Sequence, residues 1–481
     1  MGDLVNLFIG GSWRPASNGQ AVDITNPATE ERIGRLSMAS PTDLEAALVA
    51  AYEGFKVWRE VPVMQRTRLI MRVAQLMRER IDALSRELTL EEGKTLGQSK
   101  WEILATADYF DDLALAANQI VGRAVPGSPS GATRTVTYEP VGPVFAVSPW
   151  NLPAMMPGRK IANSIAAGCS IIVKPAKETP ITAYAIARCC EDAGIPPGVV
   201  NIVSGDSSVV SAAMISSEVI RKVSFTGSTE VGKELARQAG SHMKKVTMEL
   251  GGHAPVIIYD DVDLASVVDA TVMGRYSNAG QSCIAPTRFF VHSRIYGDFV
   301  DLFSERARAL RVGNGLDPQV QMGPLASARR VAVMEGLVRD AVAKGATLTA
   351  GGSRLDGKGY FFAPTVLANV PVGAAIMFEE PFGPVTPIVS FEDSDAVVER
   401  ANETPYGLAA YVFTKDLERA SRVVSRIQAG MIGVNCMSAA HASIPFGGVK
   451  DSGFGREGTV DGLLESMVTK SISVGHSSAA R

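Results

Sequence analysis

Hydrophobic spacing along this chain changes period several times, and each change marks a different kind of element. The first 40 residues mix short apolar pieces with turns such as the Asn26–Pro27 step, too broken for a long helix. Ser40 then precedes Pro41, and Leu44, Ala47, Leu48 and Ala51 share one helical stripe. A hydroxyl N-cap followed by proline at the first helical position predicts a helix starting there. Helical spacing continues to about residue 120, through RTRLIMRVAQLMRERI. The Gly/Pro/Ser-rich stretch GRAVPGSPSG breaks it, and RTVTYEP alternates as a strand does.

From residue 144 to 258 the pattern becomes strand–helix–strand. VFAV, IIVK, VVNIV, KVSF and PVII are short β-rich runs, with helical segments such as GRKIANSIAAG and TAYAIARCCEDAG between them. Such alternation predicts a parallel sheet with helices on both faces. A second α/β unit runs from about Asp263 to Asn435 and ends at MIGVN. Near the C-terminus, MVTKSISV sets Val468, Lys470, Ile472 and Val474 on one face and Thr469, Ser471 and Ser473 on the other, the mark of a strand.

Composition narrows the class. At 481 residues the chain exceeds the size at which one core keeps growing, so two or three domains are expected. With 46% hydrophobic and 20% charged residues it reads as a globular α/β enzyme. A net charge of −3, with basic and acidic residues well mixed, offers no nucleic-acid or polybasic membrane surface. The five cysteines are odd in number and unpatterned, which argues against a disulfide framework and for a reducing cytoplasm. No CxxC or HExxH supports a metal site. The N-terminus lacks a signal-peptide pattern, and no apolar run approaches the about 18 residues of a membrane helix.

Two short stretches carry the chemistry. MELGGHAP places Glu249 among glycines, and NAGQSC ends at Cys283 among small and amide residues. A thiolate attacks a carbonyl, and a nearby carboxylate can take the proton of an attacking water, so the pair suits forming and then hydrolysing a thioester. Taken singly, Cys283 reads equally as a buried core thiol and Glu249 as a solvated helix or loop carboxylate. For a dinucleotide, GxGxxG occurs literally at Gly453, Gly455 and Gly458, but late in the chain and outside any βαβ unit. SFTGSTEVG is the better candidate: a strand enters a Gly227–Ser228 turn and a helix starts near Thr229, so backbone N–H groups and the Ser228 hydroxyl can receive a pyrophosphate.

Seven segments in order, SPWNLP, IIVKPAKETP, SFTGSTEVG, MELGG, NAGQSC, EEPFGPV and PFGGVKDSGFGREG, make the chain resemble the NAD(P)-dependent aldehyde dehydrogenase superfamily over essentially its full length. The resemblance implies an α/β fold of two Rossmann-like domains with parallel sheets plus a small β oligomerisation arm. It implies a cofactor-binding domain at 1–121 and 141–251, a catalytic thiol domain at 252–435, an arm at 122–140 and 465–481, and a return segment at 436–464. The arm implies a homo-oligomer, a dimer or dimer of dimers; the bare pattern of MVTKSISV is equally that of an ordinary edge strand.

The resemblance also assigns roles. Cys283 attacks an aldehyde, the Asn151 amide and the cysteine's own N–H hold the oxyanion, and Glu249 activates the hydrolytic water. Lys174 matches the lysine that holds the adenosine ribose, and Glu380 and Phe382 match the carboxylate and aromatic at the nicotinamide end. Ser148, Pro149, Trp150, Ala176, Gly205, Phe225, Gly227, Ser228, Val231, Leu250 and Gly251 complete the implied cofactor set. Where NAD-specific relatives often carry a glutamate, this chain has Lys177, which would attract a 2′-phosphate or simply point to solvent. NADP is therefore favoured, with NAD also admitted.

Arg159, Asn151, Ser277 and Ile284 are the implied substrate residues. An arginine at 159 resembles the succinate-semialdehyde and 2-oxoglutarate-semialdehyde branches, where it forks onto the distal carboxylate; the alternative is an ion pair on a helix surface. Those branches usually carry a second arginine where this chain has Ser277, and Arg275 and Tyr276 are out of register. Glu249 favours hydrolysis to an acid over transfer to coenzyme A. Glu457 resembles a second acid of some branches or a surface salt bridge. The rival readings are a broad-specificity or aromatic/aliphatic aldehyde dehydrogenase, a CoA-acylating enzyme and a catalytically silent homologue.

Overall fold

A computed structural model describes residues 3–126 and 132–475. Two large mixed sheets and two small ones organise the chain. The first large sheet has eight strands in the spatial order Gly453–Phe454, Lys245–Glu249, Lys222–Thr226, Val144–Val147, Ile171–Lys174, Val200–Ile202, Leu7–Ile9 and Ser12–Arg14. Its five middle strands, Lys245–Glu249 to Val200–Ile202, are parallel, and antiparallel strands close both edges. The sheet is therefore mixed, where the sequence pattern pointed to a parallel one. The edges are built from the chain's beginning and end, which carry no helical crossover and so need not run parallel.

Alternate strand residues face opposite layers. Val144, Ala146, Ile171 and Val173 pack with Ile70, Val73, Ile161 and Ile186, while Phe145, Ile172, Val223 and Met248 pack with Leu44, Ala47, Leu48 and Ala51. That second layer includes the helix Pro41–Trp58, opened by a Ser40–Asp43 capping box. The sheet is thus covered on both sides, as its continuous apolar runs require.

The second large sheet has seven strands: Thr347–Ala350, Thr365–Ala368, Val385–Phe391, Pro286–His292, Ala254–Ile258, Ala409–Phe413 and Met431–Val434. Only the Thr347–Ala350 edge is antiparallel. The run PVII falls here, so the strand pattern at 144–258 crosses from one sheet to the other at Gly251–Gly252. The strand Lys245–Glu249, less apolar than its neighbours, supplies the missing member of the first sheet.

The strand Met467–Val474 pairs antiparallel with Thr133–Pro140, which also holds Arg123–Val125. Val468, Ile472 and Val474 on this arm are exposed. The tip of the expected 122–140 hairpin and the end of the 465–481 segment lie outside the described residues. No helix among the described residues is long and apolar enough to cross a membrane, and none of their side chains form a cluster fit for a metal.

Candidate active site

Parallel strands expose their C-terminal ends together, and crevices for ligands form there. Val144–Val147 leads into Ser148-Pro149-Trp150-Asn151, Lys222–Thr226 into Gly227–Ser228, and Lys245–Glu249 into Leu250-Gly251-Gly252. The buried hydroxyls of Ser148 and Thr226 find no partner among the described residues. Ser228 stands before the helix Thr229–Ser241, yet its side chain makes no capping bond, which leaves the first N–H groups of the helix open. A Cβ at Gly251 would lie 2.8 Å from a Glu380 oxygen and 3.2 Å from the Thr229 hydroxyl, so all three meet in one corner.

Glu380 accepts the Gly252 N–H at 3.1 Å, and burial raises its pKa to about 7. The Phe382 ring meets Trp150 edge-on at 5.4 Å. Phe382 takes a left-handed backbone, φ 44°, and two arginines hold that turn. Arg330 donates to the Pro381 and Phe382 carbonyls, and Arg275 to those of Gly383 and Val385. Both Arg275 bonds come from Nη2, and its Nε and Nη1 are buried without partners among the described residues.

Lys174 is buried, which depresses its pKa, while Glu178 and Asp206 oppose the shift. Gly205 is buried, Ala176 half-buried and Val231 exposed. Lys177 is exposed and has no ion pair among the described residues. Unpartnered hydroxyls, an open helix N-terminus and a buried lysine at the strand ends fit a phosphate-bearing dinucleotide.

Cys283 follows a tight turn in which Asn278 and Ala279 are both left-handed, φ 50° and 53°. The thiol is half-buried; burial raises its pKa to about 12, Glu380 and Glu249 add to the rise, and Arg159 opposes it. Gly252 backs onto this loop so closely that a Cβ there would sit 2.2 Å from the Cys283 carbonyl oxygen. Asn151 is buried; its Nδ2 donates to the Gln281 carbonyl at 3.0 Å, leaving a second N–H free. Glu249 ends its strand, and neither carboxyl oxygen has a partner among the described residues. Burial pushes its pKa well up, the neighbouring Glu457 adds to this, and Lys160, Arg159 and Arg456 oppose it.

Arg159 lies on the helix Met155–Ala166 and is 1% exposed, so it is no helix-surface residue. Its guanidinium is sandwiched between the rings of Tyr109, at 4.5 Å, and Phe446, at 4.2 Å. It reaches Glu457 at 3.5 Å, but Lys160 holds that carboxylate more closely, at 2.6 Å. Glu457 is likewise buried, and its pKa is depressed because the two cations outweigh its desolvation. Glu457, which read either as a second acid or as a surface salt bridge, is not at the surface: it sits in an interior triad, two cations sharing one anion. Ser277 is exposed, touched by Gln98 at 3.5 Å, and lies apart from this triad's ion pairs. Ile284 is half-buried, and its carbonyl accepts the Tyr411 hydroxyl at 2.7 Å.

The family model described as "Aldehyde dehydrogenase family" matches residues 13–472. The chain belongs to the aldehyde dehydrogenase family. 4-(Hydroxymethyl)benzenesulfonate dehydrogenase TsaD1 of Comamonas testosteroni is 45% identical, covering 96% of this chain and 97% of that one. NADP(+) succinate-semialdehyde dehydrogenase GabD of Escherichia coli is 38% identical over 98% of both chains. The crystal structure of succinate-semialdehyde dehydrogenase from Burkholderia pseudomallei superposes with a TM-score of 0.96 at 38% identity, over 98% of both chains. The protein is an oxidoreductase acting on aldehydes with NAD(P)+.

Sequence reasoning missed a second group in this aldehyde dehydrogenase. Lys94, Glu92 and Glu102 are all buried within the interior beside Asn151. Lys94 follows the helix Ile81–Glu92 across Gly93, whose φ of 98° turns the chain inward. The string EEGKTLGQSKWE reads as a solvated charge run at a helix end, and no local periodicity marks a buried ion. Lys94 lies before Thr95, the N-cap of the helix Leu96–Ala116 that carries Glu102, so the turn at Gly93 brings the pair together and no helical spacing signals it.

Proposed function

We propose that this enzyme oxidises an aldehyde with an anionic group at its far end, with short semialdehydes such as succinate or 2-oxoglutarate semialdehyde as the leading class. The observation that carries this reading is the triad: Arg159 and Lys160 share the single carboxylate of Glu457, which leaves positive charge in excess beside Cys283. Burial and the neighbouring Glu457 push the Glu249 pKa well up, which works against its supplying the compensating negative charge. A buried excess charge favours a substrate that supplies the missing anion. The names of TsaD1 and GabD support the same class, since each names a compound with a sulfonate or carboxylate away from the oxidised carbon. The higher identity to TsaD1 favours a second reading, an aryl aldehyde bearing a sulfonate.

The Cys283 thiol gives its proton to solvent, the thiolate adds to the aldehyde carbon, and the oxyanion that forms is met by the second Asn151 N–H and the Cys283 backbone N–H. Bound NAD(P)+ supplies the hydride acceptor, held by Lys174, the Thr229–Ser241 helix start and Glu380. Loss of hydride from the tetrahedral carbon leaves a thioester on Cys283. Glu249, once deprotonated, takes a proton from water, the hydroxide adds to the thioester, and the acid leaves as the thiol re-forms. Lys177, which has no ion pair among the described residues, supports a preference for NADP, and the exposed apolar arm supports assembly as a homo-oligomer. A panel of succinate semialdehyde, 4-formylbenzenesulfonate, benzaldehyde and butanal, each with NAD and NADP, tests the reading. Higher kcat/KM for the two anions is expected, and a preference for both neutral aldehydes overturns it.

A further inference from the structure

Buried ions outside the thiol–carboxylate pair need a reason, because each is costly unless its partners are well placed. The Lys94 ammonium donates to Glu102 Oε2 at 2.6 Å and to the Asn151 backbone carbonyl at 2.8 Å. Asn278 Nδ2 donates to the same carbonyl at 2.9 Å. The other Glu102 oxygen accepts the N–H groups of Ala154, at 2.8 Å, and Met155, at 3.1 Å, which open the helix bearing Arg159. Gln281, whose carbonyl receives the Asn151 side chain, is itself fixed by the Asn278 carbonyl at 3.1 Å and by the Ala326 N–H at 2.9 Å. One ammonium therefore ties the backbone of residue 151 to the helix start that follows it. Through the shared carbonyl it also ties residue 151 to the turn before Cys283.

We infer that Lys94 is a positioning residue for the reaction: by holding the Asn151 carbonyl it fixes where the Asn151 amide points relative to Cys283. This rests on the proposed oxyanion role of Asn151. The geometry is specific to that task. The Asn151 side chain is bound at only one of its two N–H groups, so the remaining N–H is aimed by the backbone that carries it. That backbone has two anchors, and Lys94 is the one tied to a fixed charge. Glu92 lies 3.8 Å from the ammonium and caps the Lys94 N–H at 3.0 Å, so the lysine cannot swing away. Burial raises the Glu92 pKa to about 8, and Glu102, at 2.6 Å, is the closer partner of the ammonium.

The test is a double-mutant cycle read on the hydride-transfer rate, measured by rapid mixing. Lys94→Met alone would strand the Glu102 charge, so it is made together with Glu102→Gln, whose amide oxygen still accepts from Ala154. Lys94→Gln with Glu102→Gln is the second variant, should the first fail to fold. Misplacing a reacting group by about an ångström costs on the order of 100-fold. The double variant is therefore expected to lose roughly 10- to 100-fold in hydride transfer, with the cofactor Kd unchanged. Added to Asn151→Ala, it should cost little more, because the group it aims is already gone. Full additivity, or an unchanged rate in the double variant, overturns the inference while leaving the role of Asn151 intact. A wild-type rate in Asn151→Ala alone overturns the oxyanion assignment instead.

Discussion

Replacing Arg159 with leucine separates what the triad does for recognition from what it does for stability. The guanidinium is 1% exposed and lies between two rings at 4.5 and 4.2 Å. Its loss does not strand Glu457, because Lys160 remains at 2.6 Å. The full 3–5 kcal/mol of a broken buried pair should therefore not appear. Two cation–π contacts of about 0.5–2 kcal/mol each are lost, and leucine restores part of the packing, so a stability loss of about 1–3 kcal/mol is expected. Recognition should suffer more. With Arg159 gone, Lys160 and Glu457 remain as a matched pair, and the cation that acts on Cys283 is lost. A charge-assisted contact is worth roughly 1.5–3 kcal/mol, or about 10- to 150-fold in kcat/KM. Initial rates at saturating cofactor, for succinate semialdehyde and for the equally long butanal, give the ratio that matters. The carboxylated substrate should fall by that factor and butanal by about threefold or less. If the ratio is unchanged, Arg159 does not read the substrate and the assignment of substrate class fails.

Four further outcomes follow from the same geometry. Glu457→Ala removes the ion-pair partner of the buried Arg159 and Lys160, and urea unfolding should show a loss of about 3–5 kcal/mol. Lys177→Glu should move the kcat/KM ratio towards NAD by about tenfold if ~1.4 kcal/mol of phosphate attraction is lost; an unaltered ratio would show that Lys177 points to solvent. Because the Cys283 thiol is pushed up to about 12 and Glu249 is raised too, the rate of the chemical step should climb with pH from neutrality into the alkaline range, and a flat profile speaks against a thiol that must ionise. Glu92, raised from 4.5 to about 8, holds its proton in the folded state where the unfolded chain has lost it, so its contribution to stability drains away as pH rises through that window; Glu92→Gln should flatten the fall in Tm between those pH values.

The sequence read well where periodicity and local chemistry agree. The Ser40 cap, the Leu44–Ala51 stripe, the strand at Met467–Val474 and the helix start after Ser228 all appear, since each is set by neighbours in the chain. Ala254–Ile258 reads like the runs before it, but its sheet is chosen by pairing with Pro286–His292 and Ala409–Phe413, which no local pattern encodes. The antiparallel edges escaped notice for the same reason. At the site, the motifs around Asn151, Glu249 and Cys283 were legible as separate strings, while their closeness was not. Arg159 was seen, but its partner lies 298 positions away, and so its burial and the triad could not be read from the helix alone. Lys94 and Glu102 stayed hidden because charges that read as solvated are driven inside by packing against residue 151.

In the proposed mechanism an acyl group rests on Cys283 until Glu249 brings in water. Glu249→Gln, mixed with succinate semialdehyde and NADP+, should accumulate that intermediate. The measurement is the intact mass of the quenched protein, followed by peptide mapping of the adduct. One acyl group per chain is expected on the peptide carrying Cys283, appearing with a stoichiometric burst of reduced cofactor. A burst with no adduct, or an adduct on any other residue, would contradict it.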